Sequence, residues 1–157
     1  MRWLEPATWH LTLLFLGSVP VARAAELVSL ADQVGRANRA FDVTIHGGGG
    51  LVRQQDAVAW LAVQDGAGEV IRMADQLLTA CPPDVTAGKP PRRTASAHLT
   101  VARRAGPELV EALARQRHGR LVAGWSVGRL ALVRSHLGRE GAHYETLHEA
   151  TLYAADE

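Results

Sequence analysis

The chain has 157 residues, which is enough for one ordinary domain, and 47% apolar with 21% charged residues is a globular composition. A formal net charge of +1 excludes a protein that binds nucleic acid through a strong overall positive field. The apolar runs, such as Leu13–Leu16 and Ala57–Val63, are too short for a membrane span, and the single cysteine, Cys81, excludes an internal disulfide framework. The expected setting is the cytoplasm, with no membrane partner.

The first half of the chain is predicted to contain three strands and two helices. Residues 9–17 read Trp-His-Leu-Thr-Leu-Leu-Phe-Leu-Gly, a leucine-rich and aromatic run that is closed by glycine and is typical of a strand. Residues 22–40 place apolar side chains at helical spacing and therefore predict an amphipathic helix. The remaining predictions for this half are a strand at 41–46, a glycine hairpin turn at 47–50, a strand at 57–63 and a helix at 69–81.

The second half begins with a proline-rich, basic stretch, residues 82–96, which predicts an exposed connection. Residues 97–104 read as a strand that ends before Gly106. Pro107 suits the first turn of a helix, which we expect to reach about residue 116. Two further strands are predicted at 125–137 and 144–153, joined by the turn Gly138-Arg139-Glu140-Gly141.

The two halves look alike. Each contains a strand with His-Leu-Thr, a turn with proline, a helix and two strands, and the two histidines are 88 residues apart (98 − 10). We interpret the chain as one domain, 1–157, with a repeat around 9–64 and 97–153. A strand and a helix precede the second His-Leu-Thr but not the first, so we expect one strand and one helix to be absent at the amino end. We expect a monomer, although the resulting open sheet edge would permit a dimer.

The repeated motif predicts a shared site. Period-two alternation places His10 and Thr12 on one face of their strand, and His98 and Thr100 on one face of theirs. If an approximate two-fold axis relates the halves, these faces meet across a cleft. A lone strand histidine is more often structural, but a pair at equivalent points of a repeat favours a function.

Two histidines with two hydroxyls suit the opening of a cyclic phosphodiester. One imidazole acts as the base that activates water, and the other is the acid that protonates the departing ribose oxygen. The threonine hydroxyls donate to the non-bridging phosphate oxygens. No metal or other cofactor is required, and a zinc site lacks third and fourth ligands at suitable spacing.

Beside the two His-Leu-Thr motifs, four parts of the chain resemble the 2H phosphoesterase superfamily, and within it the RNA 2′,3′-cyclic phosphodiesterases, also called 2′-5′ RNA ligases. The first is RWLEPATWHLTLLFLGSV (2–19), and HLTVAR (98–103) carries the second histidine motif. FDVTIHGGGG followed by VAWLAV is similar to the family's glycine turn and tryptophan-bearing strand. LALVRSHLGREGAHYETL (130–147) is similar to its carboxy-terminal hairpin. The resemblance covers nearly the whole chain, but Ala97 stands where the family usually has proline.

The resemblance implies an α+β bilobal fold in which antiparallel sheets of two pseudo-symmetric lobes line a central cleft. It also implies that His10 and His98 are catalytic, that Thr12, Thr100 and Arg103 bind the phosphate, and that the reaction leaves a 2′-phosphate. Strict alternation points Arg103 away from the histidines, so a bulge or strand end must turn it inward, with Arg104 as the substitute. We favour His98 as base and His10 as acid, but the residues allow either order.

Other residues are weaker candidates. Arg92 and Arg93 precede the second motif and are possible RNA contacts, and Tyr144 or Trp125 could stack on a nucleobase. Trp9 and Trp60 alternate with apolar neighbours, which favours core packing. The remaining histidines share no ligand spacing and are interpreted as surface or structural residues: His46, His118, His136, His143 and His148.

The sequence therefore predicts a metal-independent enzyme that hydrolyses RNA 2′,3′-cyclic phosphate ends or a nucleoside cyclic phosphate. The nearest alternatives use the same histidines for 2′-5′ RNA ligation or for a small cyclic nucleotide. A non-catalytic RNA-end binding module is a different class, and retention of both histidines and both threonines argues against it. An inactive protein with an incomplete first lobe is the third alternative.

Overall fold

The computed structural model describes residues 1–51, 57–116, 121–138 and 141–153, and within them the chain is an α+β protein. Its contacts divide it into two compact units, each assembled from three segments of the chain. None of the described helices is long and apolar enough to cross a membrane. In chain order the elements are β1 (Arg2–Trp3), β2 (Leu14–Phe15), α1 (Ala24–Ala37), β3 (Phe41–Leu51), β4 (Val58–Val63), α2 (Ala67–Ala80), β5 (Arg92–Arg93), β6 (His98–Arg103), α3 (Pro107–Arg115), β7 (Leu121–Val127), β8 (Arg129–Gly138) and β9 (Gly141–Thr151).

The first unit comprises Met1–Thr12, Asp42–Val70 and Ser96–Trp125. Its main feature is a five-stranded sheet of order β1-β6-β4-β3-β7, in which β6 pairs antiparallel with both β1 and β4. One face of this sheet is apolar and packs against α3. The buried residues of that core are Ile45, Ala57, Ala59, Leu99, Val101, Ala102, Ala105 and Val110.

The second unit comprises Leu13–Phe41, Ile71–Ala95 and Ser126–Glu157. Here α1 packs against the β8–β9 hairpin, while β2 and β5 form a short ladder of their own. A hydrogen bond of 2.7 Å joins His148 of β9 to Asp32 of α1, which confirms a structural role for this histidine. The buried core consists of Leu27, Leu30, Ala31, Val34, Met73, Leu77, Cys81, Val85, Leu130, Ala150 and Leu152.

An arginine fastens the start of α1 to the connection after α2. The Arg23 guanidinium hydrogen-bonds both Glu26 and the Asp84 carboxylate. The hydrogen bond to this cation lowers the pKa of Asp84 below its ordinary value. The predicted connection at 82–96 is therefore tied to the start of α1, and it also contains the short strand β5, which the sequence did not reveal.

The predicted glycine turn at 47–50 is wrong, because all four glycines lie inside β3 and Gly48, Gly49 and Gly50 pair with β4. The register shifts between Ile45 and Gly48, where Gly47 has a φ of 58° and forms part of a β-bulge. A side chain at Gly50 would lie 2.6 Å from a Val110 methyl group of α3, so glycine is needed for the close approach of that helix. The run of glycines thus serves packing rather than chain reversal.

The single strand predicted at 9–17 is also wrong. Leu11 forms an isolated bridge with Leu99 in the first unit, whereas Leu14–Phe15 pair with Arg92–Arg93 in the second. Similarly, the strand predicted at 125–137 is two strands, because β7 ends at Val127 and β8 begins at Arg129. The hairpin turn at Arg139-Glu140 lies outside the described residues, while the helices predicted at 22–40, 69–81 and 107–116 are confirmed with small shifts of their ends.

Candidate active site

The two His-Leu-Thr motifs lie side by side in the first unit. Leu11 pairs antiparallel with Leu99, the middle residue of the second motif. Both leucines contact the apolar core, which fixes the face that each motif presents to it. Their burial holds the two segments in this register, since a shift of one residue would turn both leucines away from the core.

This pairing brings the four predicted site residues onto one face. Antiparallel geometry on either side of the Leu11–Leu99 pair sets His10 opposite Thr100 and Thr12 opposite His98. All four then project from the face of the sheet that lies away from the leucines, which is called the histidine face here. The first motif meets β6 at this isolated bridge and not as a strand of the sheet, and the antiparallel pairing itself supplies the local two-fold relation.

Both histidines are oriented by the same backbone contact. Nδ1 of His10 lies 2.8 Å from the carbonyl oxygen of Thr8, and Nδ1 of His98 lies 2.8 Å from that of Ser96. Because a carbonyl oxygen only accepts, each Nδ1 carries the hydrogen and donates it to the residue two positions earlier. In the neutral ring, Nε2 is therefore the nitrogen with the lone pair, and in the charged ring it holds the proton that can be given away.

The hydroxyls beside the histidines are available for a ligand. Thr12 and Thr100 are each half-buried. Among the residues that the structure describes, neither side chain has a hydrogen-bond partner. Two hydroxyl donors on the histidine face can therefore turn toward an anion without breaking an existing bond.

The ring of Trp60 flanks His98. Trp60 pairs with Thr100 across β4 and β6, and its ring centroid lies 5.4 Å from that of His98 at an interplanar angle of 50°. On its other side, a Cβ at Gly49 would come within 3.3 Å of the indole nitrogen, so the indole lies close over this glycine. Trp60 is half-buried on the site face, and the expectation that it packs in the core is wrong.

A β-bulge in β6 turns Arg103 to the histidine face. Ala59 pairs with Ala102 but the next residue, Trp60, pairs with Thr100, so Val101 is the extra residue. Both Val101 and Ala102 are buried, and alternation resumes with Arg103 exposed opposite Val58. Strict alternation would turn Arg103 away from the histidines, and this bulge is the irregularity that returns it to their face. Arg104 follows in the left-handed region, with a φ of 52°, where the chain leaves the strand.

Three further candidates from the sequence, Arg92, Arg93 and Tyr144, lie in the second unit. Arg93 forms an ion pair with Asp75 and donates to the Thr94 carbonyl at 2.7 Å, while the Arg92 guanidinium lies 5.5 Å from the centre of the Phe15 ring. Tyr144 is half-buried in β9. These three remain predictions as RNA contacts.

Two residues, Arg2 and Trp9, lie where the sequence did not predict them. Arg2 lies in β1 directly opposite Arg103 and is exposed. A two-residue strand carries no periodic signal, so only the three-dimensional pairing places Arg2 beside β6. The expectation that Trp9 packs in the core is wrong, since it is 43% exposed, with its indole N–H donating to the Leu4 carbonyl at 3.1 Å.

The chain matches the 2′-5′ RNA ligase superfamily over residues 4–139, a span that includes both motifs. It belongs to this family. An RNA 2′,3′-cyclic phosphodiesterase of Aeropyrum pernix is 32% identical, in an alignment that covers 95% of this chain and 85% of that protein. A second one, from Aquifex aeolicus, is 29% identical over 48% of this chain and 41% of its own length.

Two solved structures share the fold of this chain. The protein TT0787 of Thermus thermophilus superposes with a TM-score of 0.72 at 23% identity, covering 99% of this chain and 84% of that one. LigT of E. coli complexed with 3′-AMP superposes with a TM-score of 0.70 at 22% identity, covering 97% and 80%. These likenesses confirm the predicted α+β family fold.

Proposed function

We propose that this protein hydrolyses RNA 2′,3′-cyclic phosphodiester ends to 2′-phosphates, with His10 and His98 as a metal-independent acid–base pair. The observation that carries the proposal is the Leu11–Leu99 pairing, which sets the two motifs side by side on one face of the sheet. The cyclic phosphodiesterase activity named for the relative from Aeropyrum pernix supports the substrate.

The reaction requires one proton to be removed from water and another to be donated to the departing O3′. Nε2 of the base, His98, removes a proton from water as the water oxygen attacks phosphorus. The bond between phosphorus and O3′ breaks, and Nε2–H of the acid, His10, protonates O3′. The product carries the phosphate on O2′, and exchange with solvent then returns both imidazoles to their starting states.

His98 is assigned as the base and His10 as the acid, the order favoured from the sequence. The two positions differ in exposure, since His98 is half-buried against Trp60 whereas His10 is exposed.

The phosphate is held by neutral and charged donors together. The hydroxyls of Thr12 and Thr100 donate to the non-bridging oxygens, and Arg103 neutralises their charge. Fixed donors of this kind stabilise the transition state because charge accumulates on those oxygens as water attacks.

Turnover of a nucleoside 2′,3′-cyclic phosphate in the presence of EDTA tests the proposal. We expect the wild-type rate to be unchanged by the chelator, and the product to be the 2′-phosphate by phosphorus NMR. His10→Ala and His98→Ala should each lower kcat by roughly 100- to 10,000-fold, the usual contribution of a positioned acid or base.

His136→Ala is the matched control, since this exposed histidine contacts Glu145 on the β8–β9 hairpin of the second unit. It should retain full activity. Loss of activity with EDTA, or full activity in either site variant, would show that the proposed chemistry is wrong.

RNA with a cyclic phosphate end is the proposed partner. A role in RNA processing, a cytoplasmic location and a monomeric state remain predictions from the sequence. Size-exclusion chromatography with light scattering would decide the last of these.

A further inference from the structure

Two arginines face each other at the end of the histidine face. The register of β1 and β6 sets Arg2 directly opposite Arg103. The bulge at Val101 returns Arg103 to the face that carries His98 and Thr100, and residues paired directly across two strands share a face. Arg2 therefore projects from the same side of the sheet as the candidate active site.

Among the described residues, no side chain neutralises this pair of cations. Both side chains are exposed. Within the described part of the chain, neither has an ion pair or a side-chain hydrogen bond. Like charges directly opposite each other destabilise an antiparallel pair, so an anionic ligand between or beside them would relieve this repulsion.

Charge balance indicates that this ligand has more than one phosphate. A cyclic phosphodiester carries a single negative charge, and Arg103 alone matches it. The second guanidinium, on Arg2, is left for a second anion. In an RNA substrate the next anion along the strand is the phosphate on O5′ of the terminal nucleotide.

The spacing agrees with this assignment. Arg103 lies four residues beyond Leu99, and at about 3.3 Å per residue, less the bulge, the arginine pair is on the order of 10 Å from the Leu11–Leu99 pair. Arginine side chains can reach back over part of this distance, so Arg103 can meet the cyclic phosphate while Arg2 meets a group one nucleotide length away.

We propose that Arg2 binds the 5′-phosphate of the terminal nucleotide and makes the enzyme prefer an RNA end, or any 5′-phosphorylated nucleotide, over a bare nucleoside cyclic phosphate. This inference rests on the proposed function, because it assumes that the cyclic phosphate lies at His10 and His98. The interaction is a charge-assisted contact with the planar guanidinium fork, which suits phosphate oxygens.

The test compares adenosine 2′,3′-cyclic phosphate with the same compound bearing a 5′-phosphate. We expect the wild-type protein to show a kcat/KM about five- to tenfold higher for the 5′-phosphorylated substrate at low salt, through a lower KM. The preference should shrink as ionic strength rises, because exposed charges are screened. Arg2→Gln should abolish the preference by lowering kcat/KM for the 5′-phosphorylated substrate more than for the bare one, and Arg2→Lys should retain part of the preference.

Arg36→Gln is the control variant, since this exposed arginine lies on α1 in the second unit, and it should keep the preference. Equal turnover of both substrates by the wild-type protein overturns the inference. An equal loss on both substrates in Arg2→Gln also overturns it, because Arg2 would then act on the cyclic phosphate itself.

A binding experiment separates this inference from the proposed function. Calorimetry with adenosine 2′-phosphate and adenosine 2′,5′-bisphosphate requires no turnover. We expect the bisphosphate to bind more tightly to wild-type protein and to lose that advantage in Arg2→Gln. If no cyclic phosphate is hydrolysed, the proposed function fails, and this comparison still decides whether Arg2 recognises the 5′-phosphate.

Discussion

The most informative contact at the scale of single residues is the hydrogen bond from each histidine to the carbonyl two positions earlier. The partners are Thr8 for His10 and Ser96 for His98. Two imidazoles thus carry the same tautomer and the same orientation, although the residues around them differ. A backbone acceptor suits this purpose because it neither titrates nor competes for the proton at Nε2.

Thr100 provides a test of the phosphate-binding hydroxyls. Thr100→Val keeps the β-branched shape and removes the donor, so we expect kcat for a nucleoside cyclic phosphate to fall about 100-fold, as on removal of one oxyanion donor. Thr100→Ser keeps a hydroxyl and should retain most of the activity. Steady-state kinetics measure both. Equal activity of the valine and serine variants would contradict the assignment, and thermal unfolding would show whether either variant is misfolded.

How far the site is predictable from sequence differs between residues. The shared face of His10 with Thr12, and of His98 with Thr100, is predictable because period two and a central leucine are local properties. Arg103 required a bulge, and the position of that bulge depends on how β4 pairs with β6. Arg2 and Trp60 reach the site only through strand pairing, which no local pattern specifies.

At the scale of elements, the glycines of β3 illustrate a signal that admits two interpretations. Consecutive glycines are common in turns, but they also occur where other groups approach a strand closely. In β3 the second cause applies, since Gly48 and Gly50 face α3 while Gly49 lies under Trp60. The helices were predictable because their amphipathic spacing extends over about two and a half to four turns, whereas strands of two residues offer no comparable pattern.

Substitution of glycine by alanine tests this packing. Gly50→Ala places a methyl group 2.6 Å from the Val58 carbonyl oxygen and equally close to Val110, so overpacking should cost about 1–3 kcal/mol and lower Tm by several degrees.

Gly68→Ala is the matched control. Gly68 lies in α2 with nothing within 4 Å of the added carbon, so helix propensity should raise stability by about 0.5 kcal/mol. Calorimetry of both variants measures the difference. If Gly50→Ala were as stable as Gly68→Ala, the close approach of α3 to β3 would be contradicted.

At the scale of the whole molecule, the chain passes five times between the two units, because each unit takes three segments and they alternate along the sequence. Three of these five boundaries fall inside an element: in β3 between Phe41 and Asp42, in α2 between Val70 and Ile71, and in β7 between Trp125 and Ser126. Neither unit can lose its structure without disturbing a helix and a strand that also belong to the other. We therefore expect the two units to unfold as one cooperative system.

The residue distribution allows each unit to be followed separately. All four tryptophans, Trp3, Trp9, Trp60 and Trp125, lie in the first unit, and the single cysteine lies in the second. Cys81 is 7% exposed within the core, and burial raises the pKa of its thiol, so it should react slowly with thiol reagents until the second unit opens.

Tryptophan fluorescence and Cys81 labelling, measured across the same urea series, should give one midpoint. Separate midpoints would show that the units unfold independently despite their interleaved segments. Cys81→Ala, which retains the tryptophans, would identify the labelling that belongs to this thiol.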